Sequence, residues 1–311
     1  MSDSNKENNK LIVVLGPTAT GKTGFAAHLA AKLDGEIISA DSRQIYREMN
    51  IGTGKDYEDY TVDGKKIPYH LIDIHEPGYK YNVYEYQKDF LCALEIIRNR
   101  GKMPVLCGGT GMYIEAVTKG YKLIAVPVNK ELRISLENKS LPELEQILSG
   151  YKKLHNKTDT DTIKRAVRAI EIEEYYKKNP ELTHHFPRLH PVCFGLHLDR
   201  ETRRENITKR LQKRLKNGMV EEVKTLLEKG ITPETLMYYG LEYKFITLYL
   251  TDRIDYDTMV EKLNVAIHRF AKRQMTWFRK MEHEGTRIHW IDARLPMDQK
   301  IKEALSLIHP E

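Results

Sequence analysis

Eight residues near the amino terminus have the types and spacing of a phosphate-binding loop. They are Gly16, Pro17, Thr18, Ala19, Thr20, Gly21, Lys22 and Thr23, and they fit the pattern G-x-x-x-x-G-K-[ST]. In such a loop, backbone N–H groups surround a phosphate or diphosphate, the lysine adds positive charge, and the threonine hydroxyl is placed to bind Mg²⁺. The pattern does not say which diphosphate is bound, and a tight turn that binds nothing is the alternative.

Two more polar residues follow apolar runs that are typical of buried strands. Asp41 comes directly after residues 36–40, and Thr110 follows residues 104–107 and two glycines. In an open parallel sheet, ligands bind outside the carboxyl ends of the strands, so both side chains are expected at the same crevice as the loop. Position alone leaves other roles open for Asp41, which could cap a short helix or contact magnesium indirectly.

The stretch over residues 51–56 is also flexible and polar. Its Thr53 and Lys55 could reach a diphosphate, but the spacing fits a solvated turn equally well. Residues 70–74 then form an apolar run that predicts another strand. His70 and His75 flank that run without partners at metal-ligand spacing, so we interpret both as ordinary strand-end residues.

A parallel sheet would bring these residues together, and the chain has the pattern of one. Strands are predicted over residues 11–15, 36–40, 70–74, 104–107 and 191–198, and helical periodicity alternates with them, as over 83–100. This alternation is typical of an α/β fold with a P-loop NTPase-like parallel sheet flanked by helices.

The alternation stops between residues 121 and 190, where only helical patterns occur. We therefore predict an all-helical insertion domain over 121–190. The P-loop core, with its C-terminal helices, would then comprise residues 11–120 and 191–311. Residues 1–10 are polar and are predicted to form a disordered tail.

Three predicted helices are rich in basic residues. In the insertion, an apolar stripe is predicted at Ile163, Ala166, Val167 and Ile170, and the cations near the opposite face are Lys164, Arg165 and Arg168. Another basic helix covers residues 203–216, and residues 268–280 mix cations with aromatic residues and a glutamine. Cations attract phosphates and aromatic rings can stack on bases. However, Phe270 and Trp277 continue an apolar stripe, which favours a core position.

Composition restricts the class of protein. The 311 residues have a net charge of +6 and 30% charged residues, which favours a polyanionic partner over a membrane. No apolar stretch is long enough for a spanning helix, and the polar residues 1–10 lack the apolar core of a signal peptide. Three cysteines (Cys92, Cys107 and Cys193) fall in apolar surroundings without a C-x-x-C motif, which favours a reducing cytoplasm over a zinc or disulfide framework.

Six segments in order along the chain carry a family resemblance. They are GPTATGKT (16–23), DSRQIYREMNIGTGKD (41–56), HLIDI (70–74), PVLCGGTGMYI (104–114), KRAVRAIE (164–171) and HRFAKRQMTWFR (268–279). With them the chain resembles the tRNA dimethylallyltransferases, also called tRNA isopentenyltransferases. The resemblance implies transfer of a dimethylallyl group from dimethylallyl diphosphate to N6 of adenine 37, beside the anticodon of tRNA. The products would be N6-isopentenyladenosine and diphosphate.

The resemblance also implies roles for particular residues. Asp41 matches the general base for the adenine amine, and Thr110 matches a residue that contacts the adenine and the diphosphate. The loop over 16–23 matches the diphosphate site, where Lys22 meets the departing charge and Thr23 faces Mg²⁺. Predicted contacts to the tRNA anticodon stem-loop are Asp41, Ser42, Arg43, Gln44, Thr110, Arg133, Lys164, Arg165, Ala166, Val167 and Arg168. A cytoplasmic monomer without a membrane partner is expected.

Two segments depart from the usual family pattern. Residues 239–243 (YGLEY) stand where an Ile-Gly-Tyr-Lys-Glu-like stretch is usual, and residues 177–180 (KKNP) stand where Thr-Gly-Lys-Pro is usual. We expect both to lie away from the chemistry. Three other functions remain open: prenylation of free adenine nucleotides, a P-loop small-molecule kinase, and a non-catalytic RNA-binding protein. The presence of Lys22, Thr23 and Asp41 together argues against the last.

Overall fold

The computed structural model describes residues 9–152, 160–182 and 186–308. By internal contacts the chain divides into two compact units, Met1–Tyr121 with Pro187–Glu311, and Lys122–Phe186.

The strands are β1 (Lys10–Leu15), β2 (Gly35–Ser39), β3 (Thr61–Val62), β4 (Lys65–Lys66), β5 (Tyr69–His70), β6 (Met103–Gly108), β7 (His190–His197) and β8 (Ile288–Asp292). The helices of the first unit are α1 (Lys22–Lys32), α2 (Val83–Asn99), α3 (Gly111–Thr118), α7 (Arg200–Lys216), α8 (Met219–Glu228), α9 (Pro233–Tyr238), α10 (Leu241–Leu250), α11 (Tyr256–His283) and α12 (Met297–Ile308). Those of the second are α4 (Lys130–Leu136), α5 (Leu141–Ser149) and α6 (Ile163–Lys178).

A six-stranded sheet in the order β5-β2-β6-β1-β7-β8 forms the centre of the first unit, and every neighbouring pair is parallel. Its central strand β1 is apolar throughout Leu11–Leu15 and has no exposed surface there. Such continuous apolar runs suit strands that are covered by helices on both faces. The fold class predicted from the sequence is confirmed.

Helix α1 begins directly after the loop that leaves β1. Its Phe25, Ala26 and Leu29 share a core with Ile12 of β1 and Val105 of β6. This packing fixes the start of α1 at the carboxyl edge of the sheet, where β2 and β6 also end. The expected edge for a ligand site is therefore formed by three adjacent strands.

Two local predictions were wrong. The strand predicted over 70–74 ends at His70, because Leu71 (φ 62°) and Asp73 (φ 56°) take left-handed backbone conformations that turn the chain. Lys10 begins β1 and so does not belong to the predicted tail, while residues 1–8 lie outside the described residues. Cys107 and Cys193 are buried, Cys92 is exposed, and all three are free thiols.

In the second unit, three helices form a small core of their own. Buried side chains from each helix meet there, among them Leu136, Leu148 and Ile170. Ala166 and Ala169 also belong to this core. Ile163 was predicted to continue the stripe but is 50% exposed, because it occupies the first position of α6. Within residues 122–152, 160–182 and 186, the structure has helices and no strand.

Among the described residues, no helix is both long and apolar enough to cross a membrane.

Candidate active site

The loop over residues 16–23 connects β1 to α1. Ala19 (φ 64°) and Gly21 (φ 73°) both adopt left-handed backbone conformations, which turn the chain sharply before the first helical turn. The Thr20 hydroxyl donates a 3.0 Å hydrogen bond to the Pro17 carbonyl and holds this turn from inside. Backbone N–H groups at the start of α1 have no helical partners, so the loop has the geometry of an anion site.

A cavity of about 760 Å³ lies against this loop, within the first unit. Five loop residues line the cavity, Thr18, Ala19, Gly21, Lys22 and Thr23, while Gly16, Pro17 and Thr20 are outside its lining. Asp41, Ser42, Arg43, Gln44 and Thr110 line it as well. The structure therefore brings the predicted phosphate loop and the predicted adenine-contacting residues to one space.

Asp41 and Thr110 follow the neighbouring strands β2 and β6. One Asp41 carboxylate oxygen accepts a 2.9 Å hydrogen bond from the Arg43 backbone N–H. The Thr110 hydroxyl oxygen accepts a 3.0 Å bond from the Ser42 N–H, and the Thr110 N–H donates to the Ala40 carbonyl at 3.1 Å. These bonds fix the backbone that carries Asp41 against the backbone that carries Thr110.

Lys22 is the first residue of α1 and faces the cavity. Burial lowers its pKa below the usual 10.5, while Cys107 and Asp41 raise it and Arg210 and Arg214 lower it. The ammonium group would regain stability when an anion enters, because an opposite charge favours the charged form. Cys107 lies beneath it, and burial raises the pKa of that thiol to about 12, so the sulfur stays protonated near neutral pH.

Two arginines on α7 add further positive charge beside the loop. Arg210 donates to the Thr18 hydroxyl at 3.4 Å and pairs with Asp56 at 2.7 Å. One Arg214 terminal nitrogen (Nη2) is buried and has no hydrogen-bond partner among the described residues. Burial is also the main cause that lowers the pKa of Arg214, to about 10. Sequence analysis placed both arginines on a basic helix but did not connect them with the loop.

Gln274 on α11 is a third residue of the site that the sequence patterns did not predict. Its side-chain oxygen accepts from the Thr18 N–H at 2.9 Å, and its side-chain nitrogen donates to the Gly109 carbonyl at 2.9 Å. This buried side chain therefore connects the phosphate loop with the turn that precedes Thr110. The only signal in the sequence was a polar residue within an otherwise apolar helix face.

Three expectations about the cavity walls were wrong. Phe270 and Trp277 line the cavity, although their spacing predicted the core. The Trp277 ring packs so closely on Gly111 that a Cβ at that glycine would overlap it. Glu242 lies in the segment expected to be remote, yet it lines the cavity too, and burial raises the pKa of its carboxyl while Arg214 opposes that shift.

Within residues 51–56, Thr53 lines the cavity, whereas Lys55 supports the turn from below. Thr53 lines the cavity, but its hydroxyl is hydrogen-bonded to the backbone carbonyls of Met49 and Asn50. Lys55 is buried below the turn, where its amine contacts the Tyr46 carbonyl and the Asp73 carboxylate. Lys55 therefore supports the turn over residues 51–56 and does not face the cavity.

The basic residues of the insertion are mostly paired within their own unit. Arg133 donates two bonds to Glu171, at 3.1 and 2.9 Å, and Arg168 contacts Glu171 as well as the Val126 carbonyl. Although burial opposes the shift, these two guanidinium groups lower the pKa of Glu171. Arg165 pairs with Asp161 at the surface.

The other predicted tRNA contacts in this unit differ in exposure. Lys164 is exposed and Val167 is partly buried. Ala166 has no exposed surface, so its side chain belongs to the helical core and is not available to a nucleic acid. The predicted tRNA contact at Ala166 is therefore wrong for its side chain.

A magnesium ion would find few protein ligands here. The described residues hold no group of three or more histidine, cysteine, aspartate or glutamate side chains that could hold a metal ion. Mg²⁺ commonly takes only one or two protein ligands and completes its shell with phosphate oxygens and water. With Thr23 at the cavity wall, the residues fit an ion that arrives with a diphosphate.

A parallel sheet with this loop after its central strand defines an α/β protein with a P-loop-like fold. Family comparisons narrow the class. Residues 44–281 match the family model described as IPP transferase, and residues 9–68 match the one described as isopentenyl transferase. The chain belongs to the IPP transferase family.

Individual relatives agree over nearly the full length. The chain is 64% identical to tRNA dimethylallyltransferase 2 of Bacteroides fragilis over 291 residues, which cover 94% of this chain and 95% of that protein. It is 62% identical to tRNA dimethylallyltransferase 1 of Parabacteroides distasonis, covering 96% and 98%. Among solved structures, the full-length tRNA isopentenylpyrophosphate transferase of Bacillus halodurans superposes with a TM-score of 0.71 at 31% identity, covering 96% of this chain and 95% of that one.

Proposed function

We propose that this chain transfers the dimethylallyl group of dimethylallyl diphosphate to N6 of adenine 37 in tRNA and releases diphosphate. One observation carries the proposal: a single cavity is lined by a carboxylate, Asp41, and by the cations Lys22, Arg210 and Arg214. A carboxylate suits an amine that must lose a proton, and clustered cations suit a diphosphate that must leave. The names of the relatives support this choice of substrates.

The cationic end of the cavity receives the diphosphate. As the allylic C–O bond breaks, negative charge accumulates on the departing oxygens, and Lys22, Arg214 and the backbone N–H groups of the loop stabilise it. Donors fixed before the reaction act strongly in a site that excludes water. Arg214 lines the cavity, and its Nη2 has no hydrogen-bond partner among the described residues, so its guanidinium group is proposed as such a donor.

Magnesium is proposed as the metal, held by Thr23 and by oxygens of the diphosphate. The ion would supply additional positive charge for the leaving group.

Asp41 and Thr110 form the acceptor end of the cavity. The adenine N6 attacks the allylic carbon, and its extra proton passes to Asp41, whose orientation is fixed by the Arg43 N–H. The Thr110 hydroxyl, held by the Ser42 N–H, is proposed to contact the adenine and the diphosphate. The new C–N bond thus replaces the C–O bond, and the proton remains on the carboxylate until solvent removes it.

The target adenine has to leave the anticodon stack to enter this cavity. Extruding a base costs a few kcal/mol, which contacts to the flipped base and its neighbours must offset. Aromatic side chains at the cavity wall, Phe270 and Trp277, are available for such contacts. We propose that Ser42, Arg43 and Gln44, which also line the cavity, touch the adjoining nucleotides.

The acceptor assay separates this function from its rivals. Purified protein with dimethylallyl diphosphate and Mg²⁺ is given an anticodon stem-loop RNA, AMP or ATP, and the products are measured by mass spectrometry. We expect isopentenyladenosine only in the RNA. Modification of the free nucleotides instead would assign prenylation of nucleotides, and phosphate transfer from ATP without any prenyl donor would assign a kinase.

We further propose that the enzyme acts in the cytoplasm as a monomer. Its three cysteines are free thiols, which suits a reducing compartment. Light scattering after size-exclusion chromatography would measure the mass, for which 36.2 kDa is expected.

A further inference from the structure

The glycine-containing turn over residues 50–54 forms one wall of the cavity through Gly52, Thr53 and Gly54. Glu222 of α8 and Tyr243 of α10 contact this turn. Neither the loop motif nor Asp41 explains why this turn holds its shape. A carboxylate from α8 and a tyrosine from α10 provide the explanation.

Glu222 on α8 binds three consecutive backbone N–H groups of this turn. One carboxylate oxygen accepts from Asn50 at 2.8 Å and from Ile51 at 2.7 Å, and the other accepts from Gly52 at 3.0 Å. The Tyr243 hydroxyl donates to that second oxygen at 2.6 Å. Four donors therefore converge on one carboxylate, and hydrogen bonds to an ionised acceptor are among the stronger ones in proteins.

The same turn is packed against the two arginines beside the phosphate loop. A Cβ added at Gly54 would overlap the terminal nitrogens of Arg214 and Arg210. A Cβ at Gly52 would overlap the Tyr243 ring, so Tyr243 both packs on the turn and bonds its anchor. The backbone of the turn is thus the surface on which the two guanidinium groups rest.

We infer that Glu222, assisted by Tyr243, is a positioning residue for the diphosphate end of the cavity. It fixes the turn over 50–54, and the turn holds Arg210 and Arg214 beside the phosphate loop. Glu222 does not line the cavity and therefore contacts no substrate. The inference rests on the proposed function, since it concerns the leaving-group end of that same cavity.

Glu222→Gln tests the inference because the amide keeps the size of the side chain but removes one acceptor oxygen and the charge. Its NH₂ group would face backbone donors that need an acceptor. We expect the KM for dimethylallyl diphosphate and the Kd for inorganic diphosphate, measured by calorimetry, to rise about tenfold. The KM for the stem-loop RNA should stay within about twofold, because the Ser42 and Arg43 N–H groups, and not this turn, hold Thr110 and Asp41.

Two further variants test the same contacts. Tyr243→Phe removes one of the four donors and keeps the ring on Gly52, so we expect a rise of about two- to threefold in the same two constants. Gly54→Ala adds a Cβ that displaces the guanidinium groups of Arg210 and Arg214 from the turn. We expect both constants to rise as much as in Glu222→Gln. Glu221→Gln, an exposed neighbour on α8, is the matched control and should behave as the unaltered protein.

The outcomes are distinguishable. If the unaltered protein binds no inorganic diphosphate, the proposed function is wrong and the inference falls with it. Suppose that the unaltered protein binds inorganic diphosphate and that the Glu222→Gln and Tyr243→Phe proteins have the same Kd for it. The inference about Glu222 is then overturned, but the proposed function is not. A parallel rise in the RNA constant and fall in unfolding temperature would also overturn it, since that indicates a general structural role. Should Glu222→Gln fail to fold, Tyr243→Phe decides.

Discussion

At the scale of single residues, the proposed chemistry uses the carboxylate of Asp41 and the ammonium group of Lys22, which both line one cavity. Asp41 is oriented by one backbone N–H, and no other hydrogen bond to its side chain is found in the part of the chain that the structure describes. Its second oxygen is therefore available to a proton from an adenine amine. General bases of this kind contribute about 10²- to 10⁴-fold to a rate.

Asp41→Ala should keep RNA affinity but lower the single-turnover rate of prenyl transfer about 10³-fold, since the proton acceptor is gone. Asp41→Asn keeps the hydrogen bond from the Arg43 N–H but cannot take the proton, so it should be nearly as slow. Rapid-quench kinetics with labelled prenyl donor measures the rate, and filter binding measures RNA affinity. Near-normal turnover in either variant would remove Asp41 from the mechanism.

The proposed contact of Lys22 with the diphosphate predicts an affinity for diphosphate that depends on pH. Burial lowers its pKa below 10.5, so the ammonium loses its proton at a lower pH than a free lysine does. We expect calorimetric affinity for inorganic diphosphate to fall as pH rises through that lowered value. Lys22→Met should weaken binding about 10- to 100-fold at neutral pH and remove this part of the pH dependence. An unchanged profile in Lys22→Met would mean that another group titrates.

The same shift has a consequence for stability. Because the folded state lowers the pKa of Lys22, it disfavours the charged form, and the destabilisation is fully present below the folded pKa. It disappears as pH rises past the unfolded value of 10.5. Lys22→Met should therefore raise the unfolding temperature at pH 7 in the absence of ligand, and differential scanning calorimetry would measure it.

At the scale of elements, helices distant in sequence complete the site. Helix α11 supplies Gln274, whose side chain bonds both the phosphate loop and the turn before Thr110. Helix α7 supplies Arg210 and Arg214. The loop between β1 and α1 thus depends on elements that begin more than 170 residues later.

Gln274→Ala should destabilise the protein by about 1–3 kcal/mol, because a buried donor and a buried acceptor lose their partners. It should also weaken diphosphate binding, since the Thr18 N–H is no longer fixed. Urea unfolding and calorimetry measure the two effects. Gln299→Ala, at an exposed position of α12, is the control. Equal stability of both variants would show that the bridge is dispensable.

Helix α6 carries the predicted RNA contacts of the second unit other than Arg133, which lies on α4. Arg165→Ala and Arg168→Ala should each lower RNA affinity uniformly across sequences and reduce the slope of log K against log salt by about 1. Arg168→Ala should also cost some stability, because Arg168 contacts the Val126 carbonyl and Glu171. Lys178→Ala, exposed on the same helix and not a predicted contact, is the control. An unchanged salt slope would assign this face to solvation.

At the scale of the whole molecule, the chain consists of two units with separate cores. The first contains the complete sheet and every residue that lines the cavity, and the second has its own helical core. The division of labour between diphosphate chemistry and RNA binding stays a prediction.

Replacing residues 122–186 with a Gly-Ser linker tests that division. The remaining unit should fold and bind inorganic diphosphate within about threefold of the full chain, because every described residue of its core and cavity belongs to the first unit. Its affinity for the stem-loop RNA should fall at least about tenfold. Calorimetry and filter binding measure the two affinities, and RNA affinity equal to that of the full chain would contradict a binding role for the insertion.

The sequence by itself determined the features that are local in the chain. A strand, an eight-residue loop and a helix start are contiguous, so their motif is visible without a fold, and apolar runs were sufficient to predict the parallel sheet and hence the common edge for Asp41 and Thr110. Only the tertiary structure decided which polar and aromatic residues on distant helices face the cavity. Arg210, Arg214, Glu242 and Trp277 have the same types and helical spacing as solvated or core residues elsewhere. Their role depends on how α7, α10 and α11 pack around the loop. Helical periodicity predicts whether a helix face is buried or exposed, but it does not predict what that face contacts.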